Sequence, residues 1–82
     1  MAEITVYGLT TCPHCKRTIE YLKMAKADFE VVWVDKLEGE EKKRAVEKIY
    51  SISKSYSVPL IVKGEKWVLG FNRDKIDELL RM

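Results

Sequence analysis

Cys12-Pro13-His14-Cys15 contains the only two cysteines of the chain. A C-x-x-C pair of this kind serves thiol–disulfide exchange or metal binding. Exchange needs a thiolate, an accessible sulfur and a second thiol nearby. Pro13 suits the first position of a helix, because the N–H it lacks would be unpaired there. That makes Cys12 the N-cap and Cys15 the third helical residue. The sulfur of Cys12 would then face the free N–H groups of the first turn, around His14 and Cys15. Those donors and the helix dipole predict a Cys12 pKa below that of a free thiol. Cys15 lies on the same helix face but deeper in the fold, so it should be less exposed and less acidic. Cys12 is the expected nucleophile and Cys15 the expected resolving thiol. The Cys12–Cys15 disulfide is the only redox group required, with no added cofactor and no metal. Pro13 and His14 are the expected tuning residues. A partly protonated His14 imidazole would stabilise the thiolate and make the couple more oxidising, although His14 also reads as an ordinary exposed first-turn residue.

The competing chemistry is metal binding. C-x-x-C is half a zinc site, and a structural zinc takes four ligands. His14 lies between the cysteines and cannot easily complete the set. A metal ion or iron–sulfur cluster shared between two chains stays open.

The surrounding elements must present this turn. Residues 3–7 alternate apolar and polar, as a strand does, and Gly8-Leu9-Thr10-Thr11 reads as a loop. A helix then runs to about Ala27, with Ile19, Leu22 and Ala25 recurring on one face and Tyr21 and Met24 beside them. Phe29 to Val34 is β-branched and aromatic, a second strand. A connection follows over Asp35 to Glu38. The second helix spans Glu40 to Ser53, with Val46, Ile49 and Tyr50 inward. Pro59 to Val62 and Trp67 to Leu69 are strands around a turn at 63–66. Asn72 caps a last helix, with Phe71 and Ile76 as its hydrophobic staple and Leu79 and Leu80 inward. The order is β-α-β-α-β-β-α. It predicts an α/β fold with a four-stranded mixed sheet, the first pair parallel and the last pair a hairpin, and helices on both faces.

The 82 residues form one domain, 1–82. Its 46% hydrophobic content suffices for one core. A net charge of +2, with no basic cluster interleaved with aromatics, argues against nucleic acid as a partner. No apolar run approaches the roughly 20 residues that span a membrane. Strand-like sequence begins at once after Met1-Ala2, so no signal peptide is expected and a cytoplasmic address follows. Thiols are kept reduced there, which favours a catalytic or metal-binding pair over a structural one. The chain has no Gln, one Asn and many Lys and Glu, a composition that leans thermophilic.

Taken together, the chain resembles the glutaredoxin-like proteins of the thioredoxin superfamily over essentially its whole length. The resemblance rests on Val6-Tyr7 leading to Cys12-Pro13-His14-Cys15, on Val58-Pro59, and on Trp67 with Gly70-Phe71 before the last helix. The branch it is most similar to is the NrdH-type redoxin, although the Trp67 to Asp74 segment is one residue longer than that branch's. The resemblance implies a thioredoxin-like fold and a cis Val58–Pro59 peptide opposite the dithiol. It also implies a substrate chain paired to the backbone of Val58. Leu9, Thr11, Val58, Pro59, Gly70 and Phe71 are the implied substrate-binding residues. Two family anchors for glutathione are missing: Leu9 stands where a Lys is usual, and Gly70-Phe71-Asn72 replaces an acidic Gly-Gly segment. The reading is therefore a monomeric protein disulfide oxidoreductase. A thioredoxin-reductase-type or ferredoxin-linked reductase would feed it electrons, and ribonucleotide reductase is one possible acceptor. A glutathione-dependent glutaredoxin and a metal or iron–sulfur module are the alternatives.

Overall fold

The computed structural model describes residues 3–81. Strands β1 (Ile4–Gly8), β2 (Phe29–Trp33), β3 (Leu60–Lys63) and β4 (Lys66–Leu69) form one sheet in the order β2-β1-β3-β4. β1 runs parallel to β2 and antiparallel to β3, and β3 and β4 make the antiparallel hairpin. Helices α1 (Pro13–Met24), α2 (Gly39–Ser53) and α3 (Arg73–Leu80) complete the predicted order, with a single 3₁₀ turn at Val34–Lys36 after β2.

Strand alternation sorts the core onto two faces. Ile4, Val6, Ile61 and Val68 point to one face and pack with Leu22 of α1 and Ile76 and Leu79 of α3. Leu60 points to the other face and packs with Val34 and with Ala45 and Ile49 of α2. Helices therefore cover both faces, α1 and α3 on one and α2 on the other. Each fully buried Leu or Ile side chain contributes about 1.5–3 kcal/mol of transfer free energy. No helix among the described residues is long and apolar enough to cross a membrane.

Three local expectations need correction. α1 ends at Met24 and not near Ala27. Lys26 takes a left-handed φ of 58°. Its N–H bonds the Lys23 carbonyl, and the Ala27 N–H bonds that of Leu22. This is the Schellman termination, usually marked by Gly at the position Lys26 holds here. Ala25, past that end, is exposed, and the buried stripe of α1 is instead Cys15, Thr18 and Leu22. Thr18 can be buried because its hydroxyl donates to the His14 carbonyl at 2.9 Å. In α2, Ala45 and Ile49 form the inward seam, with Val46 half-buried beside it. Tyr50, one residue further round the helix, is 44% exposed and stacks on Tyr56. The cap of α3 is as expected: the Asn72 side chain accepts from the Lys75 N–H at 3.1 Å.

Candidate active site

The dithiol turn emerges from the C-terminal end of β1 and closes onto the start of α1. Cys12 is the N-cap of α1 with extended backbone, and Pro13 is its first residue. The Cys12 N–H donates to the Leu9 carbonyl at 3.0 Å, which folds the turn back on β1. Cys15, one turn on, is 0% exposed, whereas Cys12 is partly exposed. Both are free thiols.

Gly8, the last residue of β1, makes this closeness possible. A Cβ built there would lie 3.0 Å from the Cys15 Sγ and 3.1 Å from its Cβ. Glycine is thus required by the approach of Cys15 to the strand. Gly8 is paired with Trp33 across β1 and β2, and the Trp33 ring borders the same spot. Gly8→Ala is expected to push α1 off the sheet at its N-terminal turn. The cost should be about 1–3 kcal/mol, as for other overpacked sites, read as a lower urea midpoint with an unchanged slope.

The two sulfurs have opposite environments. Partial burial pushes the Cys12 pKa up, but the Cys15 N–H, the Cys15 thiol and the His14 N–H outweigh it, and the pKa is lowered. His14 contributes there through its backbone, and its side chain is exposed. Burial raises Cys15 to about 11; the Leu9 N–H works against that, while the hydrogen bond and charge of Cys12, and the charge of Asp35, add to it. One thiol of the pair is thus set to ionise and the other to stay protonated beside it.

The Val58–Pro59 peptide is cis, as the resemblance implied. The Pro59 carbonyl accepts the Gly70 N–H at 2.8 Å, which ties the end of β4 to the start of β3. Leu9 and Val58 come together with Val34, Lys42, Val46, Ile49 and Tyr56 around an apolar groove of about 230 Å³. Phe71 does not join them. It packs with the core on the α1 and α3 face, edge-on to Tyr21 with centroids 6.1 Å apart. Thr11 is exposed and Gly70 half-buried with φ +84°. Among the described residues, no three or more His, Cys, Asp or Glu side chains are grouped to hold a metal ion.

Three residues of the site went unnoticed in the sequence. Gly8 reads as loop in the sequence, but β1 runs through it, and a glycine within a strand marks a close backbone approach. Trp33, with Thr10, Lys16, Ile19, Glu20 and Lys36, lines a second groove of about 510 Å³ beside the turn. Asp35 receives the Thr10 N–H and hydroxyl across 25 residues of sequence, and nothing local in the chain announces that contact.

A glutaredoxin family model matches residues 4–68. A glutaredoxin-like 8.6 kDa protein in the rubredoxin operon of Clostridium pasteurianum is 39% identical over 78 residues, 94% of this chain and 96% of its own. The crystal structure of a glutaredoxin from Archaeoglobus fulgidus superposes with a TM-score of 0.95 at 63% identity, covering 100% of this chain and 89% of that one. Methanosarcina acetivorans methanoredoxin superposes at 0.91 with 38% identity, over 99% of this chain and 86% of that one. The likeness runs through the whole sheet and the dithiol turn, the fold is thioredoxin-like, and the chain belongs to the glutaredoxin family.

Proposed function

We propose that this protein is a dithiol carrier that reduces protein disulfides, with Cys12 as nucleophile and Cys15 as resolving thiol. The observation that carries the reading is the placement of the pair: Cys12 is partly exposed at the N-cap of α1 and Cys15 is buried one turn on. The directions of their pKa values, lowered and raised, agree with it. The Cys12 thiolate attacks one sulfur of a substrate disulfide. A mixed disulfide forms and one substrate thiolate leaves. Burial is the main reason that the Cys15 pKa is raised and it remains, but forming that bond removes the Cys12 charge that added to it. Cys15 then loses its proton more readily and attacks the Cys12 sulfur. The second substrate thiolate leaves, and two electrons have passed to the substrate. The Cys12–Cys15 disulfide is reset by a thioredoxin-reductase-type or ferredoxin-linked protein in the cytoplasm. Ribonucleotide reductase is one candidate acceptor.

Alkylation tests the assignment directly. A lowered pKa keeps Cys12 ionised at pH values where an ordinary thiol is protonated, so its labelling should persist as pH falls. Cys15, with a pKa of about 11, should label only when the solution is strongly alkaline or the protein unfolds. Mass spectrometry of protein alkylated at pH 6–7 should therefore find the label on Cys12. Equal labelling, or label on Cys15 first, contradicts the assigned roles.

A further inference from the structure

The peptide of Leu9 touches both thiols. Its carbonyl accepts the Cys12 N–H at 3.0 Å, and its N–H faces the Cys15 sulfur. The next residue is tethered from outside the motif. Thr10 donates its N–H to both carboxylate oxygens of Asp35, at 3.1 and 3.2 Å, and its hydroxyl to one of them. Those bonds, the hydroxyl's first, hold the Asp35 carboxyl below the usual carboxylate range, with Lys36 adding a smaller contribution. Asp35 lies in the 3₁₀ turn after β2. Burial does little to fix the turn itself, since Thr11, Pro13 and His14 are exposed.

We propose that Asp35 is a positioning residue for the dithiol: by tying Thr10 to the end of β2, it sets the Leu9 peptide against both cysteines and keeps Cys12 at the N-terminus of α1. The inference rests on Cys12 being the nucleophile. Hydrogen bonds to an ionised carboxylate are stronger than neutral ones, and here they converge on one residue of an exposed turn. Without them the turn is free to swing, and Cys12 spends part of its time away from the His14 and Cys15 N–H groups that stabilise its thiolate.

The test compares Asp35→Ala, Thr10→Val and Thr10→Ser in the full chain. The rate of Cys12 alkylation is followed against pH, with circular dichroism as a control for folding. Thr10→Val, which keeps the Asp35 charge, should label Cys12 about threefold to tenfold more slowly at pH 6.5, the scale of one net hydrogen bond. Asp35→Ala should move in the same direction even though it also removes a negative charge that raises the Cys15 pKa. Their profiles should move to higher pH. Thr10→Ser keeps the hydroxyl and should match the unaltered protein. A lower melting temperature with an unmoved pH profile would mean a merely structural role and overturns the proposal. If Asp35→Ala does not fold, the contrast between Thr10→Val and Thr10→Ser decides alone. Failure of the nucleophile assignment is seen separately, in the unaltered protein, as label that does not fall on Cys12.

Discussion

Cys15→Ser is expected to accumulate mixed disulfides with protein substrates, and Cys12→Ser to lose exchange to the background rate. The asymmetry follows from position. Cys12 is the sulfur that solvent reaches, and the helix N–H groups stabilise its thiolate. A serine hydroxyl there is not ionised near neutral pH and cannot form the mixed disulfide. Cys15 is held beside it, one helical turn away, with no access to a substrate of its own. Well-oriented neighbours react with effective molarities of up to about 10⁵–10⁸ M, so even a small fraction of that advantage outruns millimolar free thiol. Without Cys15 the resolving step depends on that free thiol, and the intermediate should persist. Serine is smaller than cysteine, so the tight contact with Gly8 is relieved rather than worsened. Non-reducing electrophoresis and intact mass of each variant with a disulfide substrate give the result. Exchange surviving in Cys12→Ser, or no adduct in Cys15→Ser, would sink the mechanism.

Reduction by glutathione alone is expected to be slow, and reduction by a protein reductase fast. The two charged ends of glutathione lack the anchors that the family usually supplies. Leu9 is an apolar residue packed with the α2-side core. In the segment after the hairpin, the Gly70 N–H is engaged by the Pro59 carbonyl and the Asn72 oxygen caps α3. Each missing charge-assisted contact weakens binding by roughly 1.5–3 kcal/mol, and two together by at least about two orders of magnitude. The groove between Leu9 and Val58 is lined mainly by apolar side chains and suits an extended protein chain paired to the backbone of Val58, in the loop before β3. Stopped-flow reduction of the oxidised protein by millimolar glutathione, compared with a thioredoxin-reductase-type enzyme, separates the two sources. Efficient turnover with glutathione alone would falsify this preference. The double change Leu9→Lys with Asn72→Asp should raise the glutathione rate if the missing anchors are the cause.

Much of this protein is written in local signals. The order of elements follows from short-range patterns: alternation in residues 4–7, Pro13 at the first helical position, and Asn72 three residues before Lys75. Such features depend on neighbours within one turn or one strand, so a single sequence carries them. The same locality places Cys12 at an N-cap, and from that the direction of its pKa follows. Where the pattern misled, a tertiary preference had overridden a local one. Lys26 takes a left-handed conformation that the sequence marks with no glycine, and α1 stops three residues early. Tyr50 turns outward to stack on Tyr56, and Ala45 takes the inward place.

What the sequence could not contain is the set of contacts between distant residues. The Cys15 pKa of about 11 depends on burial against β1, on the Leu9 N–H and on the neighbouring thiolate, all of which exist only once α1 has docked. Resemblance suggested the cis state of Val58–Pro59, but the bond's own chemistry leaves trans the commoner choice. The tether from Asp35 to Thr10 spans 25 residues and is created by the pairing of β1 with β2. Spacing alone determined that two thiols would share one helix turn. Position along the helix already pointed to Cys15 as the inner thiol, and tertiary packing decided how completely it is buried, because only the docked sheet provides the surface that hides Cys15 and leaves Cys12 in reach.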